Sequence, residues 1–429
     1  MFAPCCCMKD PLFQKFRGYF TITLLIKSFL TALLFSLFLF LDYFEMHSKF
    51  LASLFALMAF YLLLKQRKIF WSGFFIGIFW FWWIGLSFRY YELHWMIPII
   101  IFFVGLVYGV IFLSGFFLAD CFASFFPKFS THLQTLLRAS FLLTASYIHP
   151  FGFNWFIPEI TLVSTYFAFD KLSFALLLLV LVLFIHMKKW YRYFTLLGLL
   201  LIVQSHNPAP LAPLKIDLVT THIPQSIKWN PKYKDTIIAK NFKAIHQAIR
   251  KKYDLVVLPE SAFPLFLDHE PMLLDRLLTL SHKIAIVTGA LSFKNGKNYN
   301  STYIFEKGRY TIIDKVVLVP FGEEIPLPQP FAKWINDLFF DGASDYEHAK
   351  KPHIFTLKGV AFTNAICYEA THPLIYSTPT HYIIAISNNA WFLPSYEPNL
   401  QNLIIKYYAT IHKKVVYHAT NIAKTEVIR

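Results

Sequence analysis

One cysteine stands close to one carboxylate in the apolar run "VAFTNAICYEAT", Val360 to Thr371. The part before the cysteine is short and partly β-branched, so it reads as a buried strand that delivers Cys367 at its end, with Glu369 just beyond. Only a thiolate attacks well, and an isolated thiol is barely ionised at neutral pH, so a nucleophilic cysteine needs a base or a cation beside it. The ordinary alternative is a buried cysteine that does no chemistry and merely fills space. Two other stretches bear on the choice. In "YDLVVLPESAFP", Tyr253 to Pro264, an apolar strand ends at Pro259 and presents Glu260 at its C-terminal edge, where a carboxylate can act as a base. In "YTIIDKVVLVPFGEE", Tyr310 to Glu324, Lys315 interrupts a run otherwise fit for burial. Burying a lysine is costly unless it is paired or used. Glu260, Lys315 and Cys367 lie far apart in sequence and meet only in a fold that gathers strand ends.

The elements that position them fall into two regions. The 429 residues are 56% hydrophobic and 19% aromatic, with mean hydropathy +0.48, too apolar for a wholly soluble chain of this length. The excess lies between Ser28 and Asn207, where about seven apolar cores are candidates for membrane spans. They are Ser28 to Phe44, Phe50 to Leu64, Ile69 to Phe88, Trp95 to Leu118, Thr131 to Tyr147, Leu172 to Met187 and Phe194 to Gln204. Basic residues cluster before the first core (Lys9, Lys15, Arg17, Lys27), after the second (Lys65, Arg67, Lys68), after the fourth (Lys128) and after the sixth (Lys188, Lys189, Arg192). The positive-inside rule then puts the N-terminus in the cytoplasm and everything after the seventh core outside. Much of the net charge of +15 is therefore membrane topology, not a nucleic-acid footprint. Two outward loops, Phe88 to Trp95 and His149 to Pro158, are rich in aromatics, as an interfacial belt would be, with a lipid entrance as the alternative. The cores show neither a repeat nor a charge cluster of the kind that marks a transport path. His149 and Glu159 have no metal-ligand spacing, and no cofactor is expected. Met1 to Arg17, with Cys5, Cys6 and Cys7, reads as an unstructured tail, or as sequence ahead of a start at Met8.

The Pro-rich stretch Ser205 to Pro213 marks a boundary. The division is thus 1–27 as cytoplasmic tail, 28–204 as a transmembrane helical domain, 205–214 as linker and 215–429 as an extracytoplasmic α/β domain. In the last, strands are expected at 215–223, 254–258, 283–293, 300–306, 310–318, 353–366, 381–387 and from Val415 onward, with helices at 234–252, 271–282, 331–340 and 399–413. Within 331–340, Phe331, Trp334, Ile335, Leu338 and Phe339 recur at helical spacing, fit for a lid dipping into the interface or for packing on the core. Cys121 falls at the cytoplasmic end of the fourth core, so Cys367 is the lone cysteine of the outer domain. In an oxidising compartment, where structural cysteines pair, an unpaired thiol suggests use.

The words "LPESAFP", "KVVLVPFGE" and "CYE" resemble the Glu-Lys-Cys triad of the nitrilase superfamily, and with the spans they are similar to its membrane acyltransferase branch, the bacterial apolipoprotein N-acyltransferases. The resemblance implies a polytopic α-helical bundle followed by an αββα sandwich. It also implies an inner-membrane enzyme with its catalytic domain in the periplasm. It makes Glu260 the general base, Lys315 the oxyanion-holding lysine and Cys367 the nucleophile. Glu323 matches an additional glutamate near the triad, Tyr368 and Glu369 the residues after the cysteine, and Trp229 and Trp391 aromatic positions of the substrate cleft. The implied donor is a phospholipid and the implied acceptor the α-amine of the diacylglyceryl cysteine of an apolipoprotein. The bland readings are a turn contact for Glu323, core packing for the two tryptophans and a solvent-reaching Lys315. The sequence departs from the family at Asn389, usually Asp, at Leu393 and Pro394 in place of Gly, at Thr221 and His222, and in ending at Arg429 short of the family's closing strands and last transmembrane helix. Two other functions fit parts of the pattern: a membrane-tethered carbon-nitrogen hydrolase, and a non-catalytic transporter with a degenerate outer domain. A reporter fused after Lys215 is expected to be active only on the outer side of the membrane, and cytoplasmic activity would overturn the count of spans.

Overall fold

The computed structural model describes residues 20–205, 208–328, 330, 333 and 346–429. The tail with Cys5, Cys6 and Cys7 and the apolar face expected over 331–340 lie outside the described residues. The chain forms two compact units that interleave in sequence. The first comprises 1–82, 98–145 and 164–204, the second 83–97, 146–163 and 205–429.

The first unit is helical. It contains α1 (Ile22–Tyr43), α2 (Lys49–Lys65), α3 (Phe70–Phe81), α4 (Ile97–Ser124), α5 (Ser130–Thr144) and α6 (Lys171–His186). Among the described residues three helical stretches are long and apolar enough to cross a membrane: Ile22–Tyr43, Phe70–Tyr91 and His94–Ser124. The last expected core holds instead a five-residue helix, Tyr191–Thr195, followed by a tight 3-10 stretch, Leu196–Ile202. α3 and α4 approach closely because Gly73 has no side chain: a Cβ there would sit 2.7 Å from the Tyr108 carbonyl oxygen. Within the helical unit Arg138 of α5 is buried and paired with Asp120 at 2.8 Å. Its guanidinium also donates to the Gln66 carbonyl at 3.2 Å, and Gln66 donates to Ser28 at 2.7 Å. A buried charge needs such partners, so the pair and its polar neighbours tie α5, α4 and the α2–α3 turn to α1.

The second unit is built on two sheets. In the first, β1 (Ile216–Leu218), β2 (Leu255–Val257) and β4 (Ala285–Lys294) run parallel, while β5 (Lys297–Glu306) and β6 (Arg309–Asp314) continue antiparallel. A short β3 (Phe263–Phe266) also pairs with β4. The second sheet has the order β11-β10-β9-β8-β7: β7 (Ile354–Leu357), β8 (Val360–Ile366), β9 (Tyr382–Asn388), β10 (Val415–Asn421) and β11 (Glu426–Ile428). Strand alternation sorts side chains into layers. Leu255 and Val257 join Ile366, Ile384, Ile386, Val415 and Tyr417 in one core between the sheets. Val256 and Leu258 turn the other way, onto α8 (Pro231–Arg250) and α9 (Pro271–Ser281), which follow the four-residue α7 (Gln225–Lys228). On the far side, Ile383, Ala385 and Val416 pack against Ile405 and Ala409 of α10 (Glu397–Ile411). The result is the four-layer αββα sandwich.

Three details differ from expectation. The strand expected over 353–366 is a hairpin, because Lys358 and Gly359 both take positive φ and turn the chain between β7 and β8. The strand expected to reach Leu318 stops at Asp314, so Lys315 leads the loop that follows. β3 is too short and proline-broken to have been read as a strand. The aromatic loops also divide: Trp95 is exposed, as an interfacial residue would be, whereas Trp155, Phe156 and Ile157 are buried within the second unit. Gly289 on β4 lies under the Glu260 turn, where a Cβ would stand 2.5 Å from the Ser261 nitrogen and 2.7 Å from the Glu260 Cα. Gly289→Ala is therefore expected to cost about 1–3 kcal/mol, read as a lowered thermal midpoint; an unchanged midpoint would contradict this packing.

Candidate functional site

Each of the three expected catalytic residues sits where a strand gives way to a loop. After β2 the chain is held by Leu258 N–H to the Val287 carbonyl, 2.8 Å, and by Gly289 N–H to the Pro259 carbonyl, 3.2 Å. Glu260 follows and is buried, ahead of Ser261 at positive φ. Lys315 comes directly after β6, with its N–H on the Asn300 carbonyl at 2.9 Å. Cys367 follows β8 and opens the 3-10 turn Cys367–Thr371 with φ +54°, a left-handed conformation uncommon for a non-glycine residue. Such a sharp turn lifts the sulfur off the strand, and the side chain is partly exposed.

Glu369 fastens two of these loops together. Its carboxylate accepts the Ile366 N–H at 2.7 Å and the Val316 N–H at 2.9 Å, so the residue before Cys367 and the residue after Lys315 share one anchor. Burial pushes its carboxyl up to about 7 against those two bonds.

Polar groups converge around a fully buried Lys315. Its Nζ donates to Glu323 Oε2 at 2.6 Å, and the Val319 N–H reaches the same oxygen at 2.9 Å. Asn300 Nδ2 bridges Glu323 Oε1 at 2.9 Å and Glu260 Oε1 at 2.7 Å. Burial alone pulls the Lys315 ammonium down, but Glu323, Glu260 and Cys367 together hold it above the ordinary lysine value. The Cys367 thiol is pushed up by burial and by Glu260, with Lys315 opposing. Beneath Glu260, Lys228 of α7 is almost fully buried and donates to the Glu260 backbone carbonyl at 3.0 Å. Burial brings its ammonium down to about 8 despite Glu260 and Cys367. This arrangement holds a carboxylate, an ammonium and a thiol within electrostatic reach of one another, the equipment for attack on a carbonyl carbon.

The remaining expected residues take different places. Tyr368 is a buried hub: its hydroxyl accepts the Asn154 N–H at 3.1 Å, and its ring stacks on Phe153 and Trp155 at 5.8 and 6.0 Å. Trp391 is half-buried, with Tyr90 and Tyr91 at 5.3 and 6.3 Å. Trp229 closes α7 with 41% of its surface exposed. Two positions had no mark in the sequence reading, Asn300 and Lys228. The available signal was an Asn-Ser-Thr run leading into the apolar residues Tyr303 to Phe305, and a lysine between Ile227 and Trp229.

A family model described as the apolipoprotein N-acyltransferase integral membrane domain matches residues 22–205, and one described as carbon-nitrogen hydrolase matches 226–425. Apolipoprotein N-acyltransferase of Wolinella succinogenes is 44% identical over 402 residues, covering 92% of this chain and 94% of that protein. Those of Helicobacter hepaticus and Helicobacter pylori are 36% and 37% identical, covering 86% and 85% of this chain and 90% and 83% of theirs. With the apolar helices, the αββα unit and similarity along both, the chain belongs to the apolipoprotein N-acyltransferase family of membrane proteins.

Proposed function

We propose that this protein moves an acyl chain from a phospholipid to the N-terminal α-amine of the diacylglyceryl cysteine of an apolipoprotein, through a thioester on Cys367. The single observation that carries the catalytic assignment is the hydrogen-bonded run Lys315–Glu323–Asn300–Glu260, electrostatically coupled to the Cys367 thiol. Because that thiol is held in its protonated form, the proton leaves as attack begins. Glu260 takes it, the sulfur bonds to the ester carbonyl carbon, and Lys315 with backbone N–H groups holds the oxyanion. Collapse expels the lysophospholipid alkoxide, which takes the proton back from Glu260. The acceptor amine then attacks the thioester, and the thiol is released as the amide forms. Glu323 keeps Lys315 charged and aimed, while Glu369 and Tyr368 hold the turn that carries the cysteine. Trp229 and Trp391, each partly exposed, border the cleft. Exclusion of water separates this transfer from hydrolysis. The enzyme resides in the inner membrane with the second unit on the periplasmic side, consistent with the distribution of Lys and Arg among the loops.

The mass of a lipoprotein N-terminal peptide, compared between cells with and without the gene, tests the reaction: one acyl chain gained with the gene is expected, and no difference would refute it. Cys367→Ala is expected to remain folded and membrane-inserted and to lose transfer completely. Lys315→Ala is expected to slow thioester formation from labelled phospholipid by about a hundred- to a thousandfold, and Lys315→Arg to rescue little, because a planar fork does not replace a compact ammonium. Wild-type rates in Lys315→Ala would return that lysine to a structural role.

A further inference from the structure

A second buried polar chain, separate from the Lys315 cluster, ends on the same sulfur. Gln401 of α10 is 1% exposed and places Nε2 3.9 Å from Cys367 Sγ, within reach of a long N–H···S bond. Its carbonyl oxygen accepts from Asn389 Nδ2 at 2.9 Å. The same Asn389 amide group donates to the two oxygens of Glu397 at 3.1 and 3.4 Å. Asn389 and Glu397 are each 1% exposed as well. Bulk water therefore does not compete, and the partners decide which way each amide faces. With its oxygen engaged by Asn389, Gln401 turns its nitrogen toward the sulfur. The Asn388 backbone also hydrogen-bonds that sulfur.

We propose that Gln401, oriented by Asn389 and Glu397, is a further catalytic residue whose side-chain N–H stabilises the negative charge that develops on Cys367 Sγ. The assignment rests on the reading of Cys367 as the nucleophile. When Glu260 takes the thiol proton and the C–S bond begins to form, the sulfur carries charge that Gln401 and the Asn388 backbone can meet. When the acceptor amine displaces the thioester, the C–S bond breaks, the electron pair returns to sulfur and the same donor eases its departure before the thiol regains a proton. The charged groups facing the sulfur are Glu260 after β2, Lys315 after β6, Lys228 on α7 and Glu397 on α10. Burial raises the Glu397 carboxyl to about 8, and its charged form opposes charge on the sulfur.

Alkylation of Cys367 by iodoacetamide, followed on the cysteine's own peptide by mass spectrometry across pH in the full-length protein, reads this directly. Gln401→Met keeps the bulk and removes the donor. It is expected to slow alkylation about tenfold, the lower range for a hydrogen bond to a charged group, and to move the pH that gives a fixed rate up by about one unit. Asn389→Asp keeps the shape but offers only acceptors to Gln401. The amide then turns round, its carbonyl faces the sulfur, and the curve shifts in the same direction. A wild-type alkylation curve in a Gln401→Met protein that unfolds at the wild-type temperature overturns the proposal. If Gln401→Met does not fold, a wild-type curve in Asn389→Asp overturns it instead. Acyl transfer by the wild type is assayed in parallel: its absence would sink the transferase reading, whereas the alkylation curves judge Gln401 independently.

Discussion

A single buried ammonium sets the terms for the catalytic unit. Lys315 is fully buried, and a charge in that position persists only if opposite charges and hydrogen bonds replace water. Glu323 answers it directly, Asn300 ties Glu323 to Glu260, and the Lys315 backbone is fixed on β5 through Asn300. These constraints locate the acid cluster to within a hydrogen-bond length. They also explain why three residues so distant in sequence form one site: the ammonium is affordable in the interior only where the carboxylates already are.

The two sheets supply the rest. β2 in one sheet and the parallel strands β8 and β9 in the other end in loops that carry Glu260, Cys367 and the Asn389–Phe392 turn. The inter-sheet core of Leu255, Val257, Ile366 and Ile384 brings those loops to a common edge. Lys315 reaches it from the antiparallel strand β6. The Glu369 carboxylate, taking one N–H from each sheet's loop, works as a staple between them.

Much of this was legible because the residues announce their own cost. A lysine in an apolar run, a carboxylate at a strand end and a lone thiol are each expensive or reactive, so their presence marks a site. The long helices among the described residues and most strands followed from period and length. What escaped was set by tertiary context. Asn300 looks like any polar residue of a strand until Glu260 and Glu323 are seen on either side of it. Lys228 sits in a four-residue helix too short to carry a pattern. The turn at Lys358 and Gly359 splits an apolar run whose period alone reads as continuous.

The aromatic loop from His149 to Pro158 departs furthest from the interfacial expectation, for a physical reason. A tryptophan next to a membrane span has two equally good destinations by composition, the lipid headgroups or a protein surface. Trp155 takes the second because its indole N–H finds Thr371 at 2.7 Å, in the turn that begins with Cys367, and its ring stacks on Tyr368. Asn154 donates to the Thr371 carbonyl, and Arg89 and Tyr90 reach the Leu393 and Ala390 carbonyls in and beside the Asn389–Phe392 turn. Both loops beside the cysteine are therefore braced by segments that lie, in sequence, among the membrane helices. The stretch that matches the carbon-nitrogen hydrolase model carries the proposed reacting groups, but the Cys367 turn and the Asn389–Phe392 turn are braced by residues of 83–97 and 146–163. The membrane portion of the chain is thus more than an anchor, since it contributes structural parts of the catalytic unit itself.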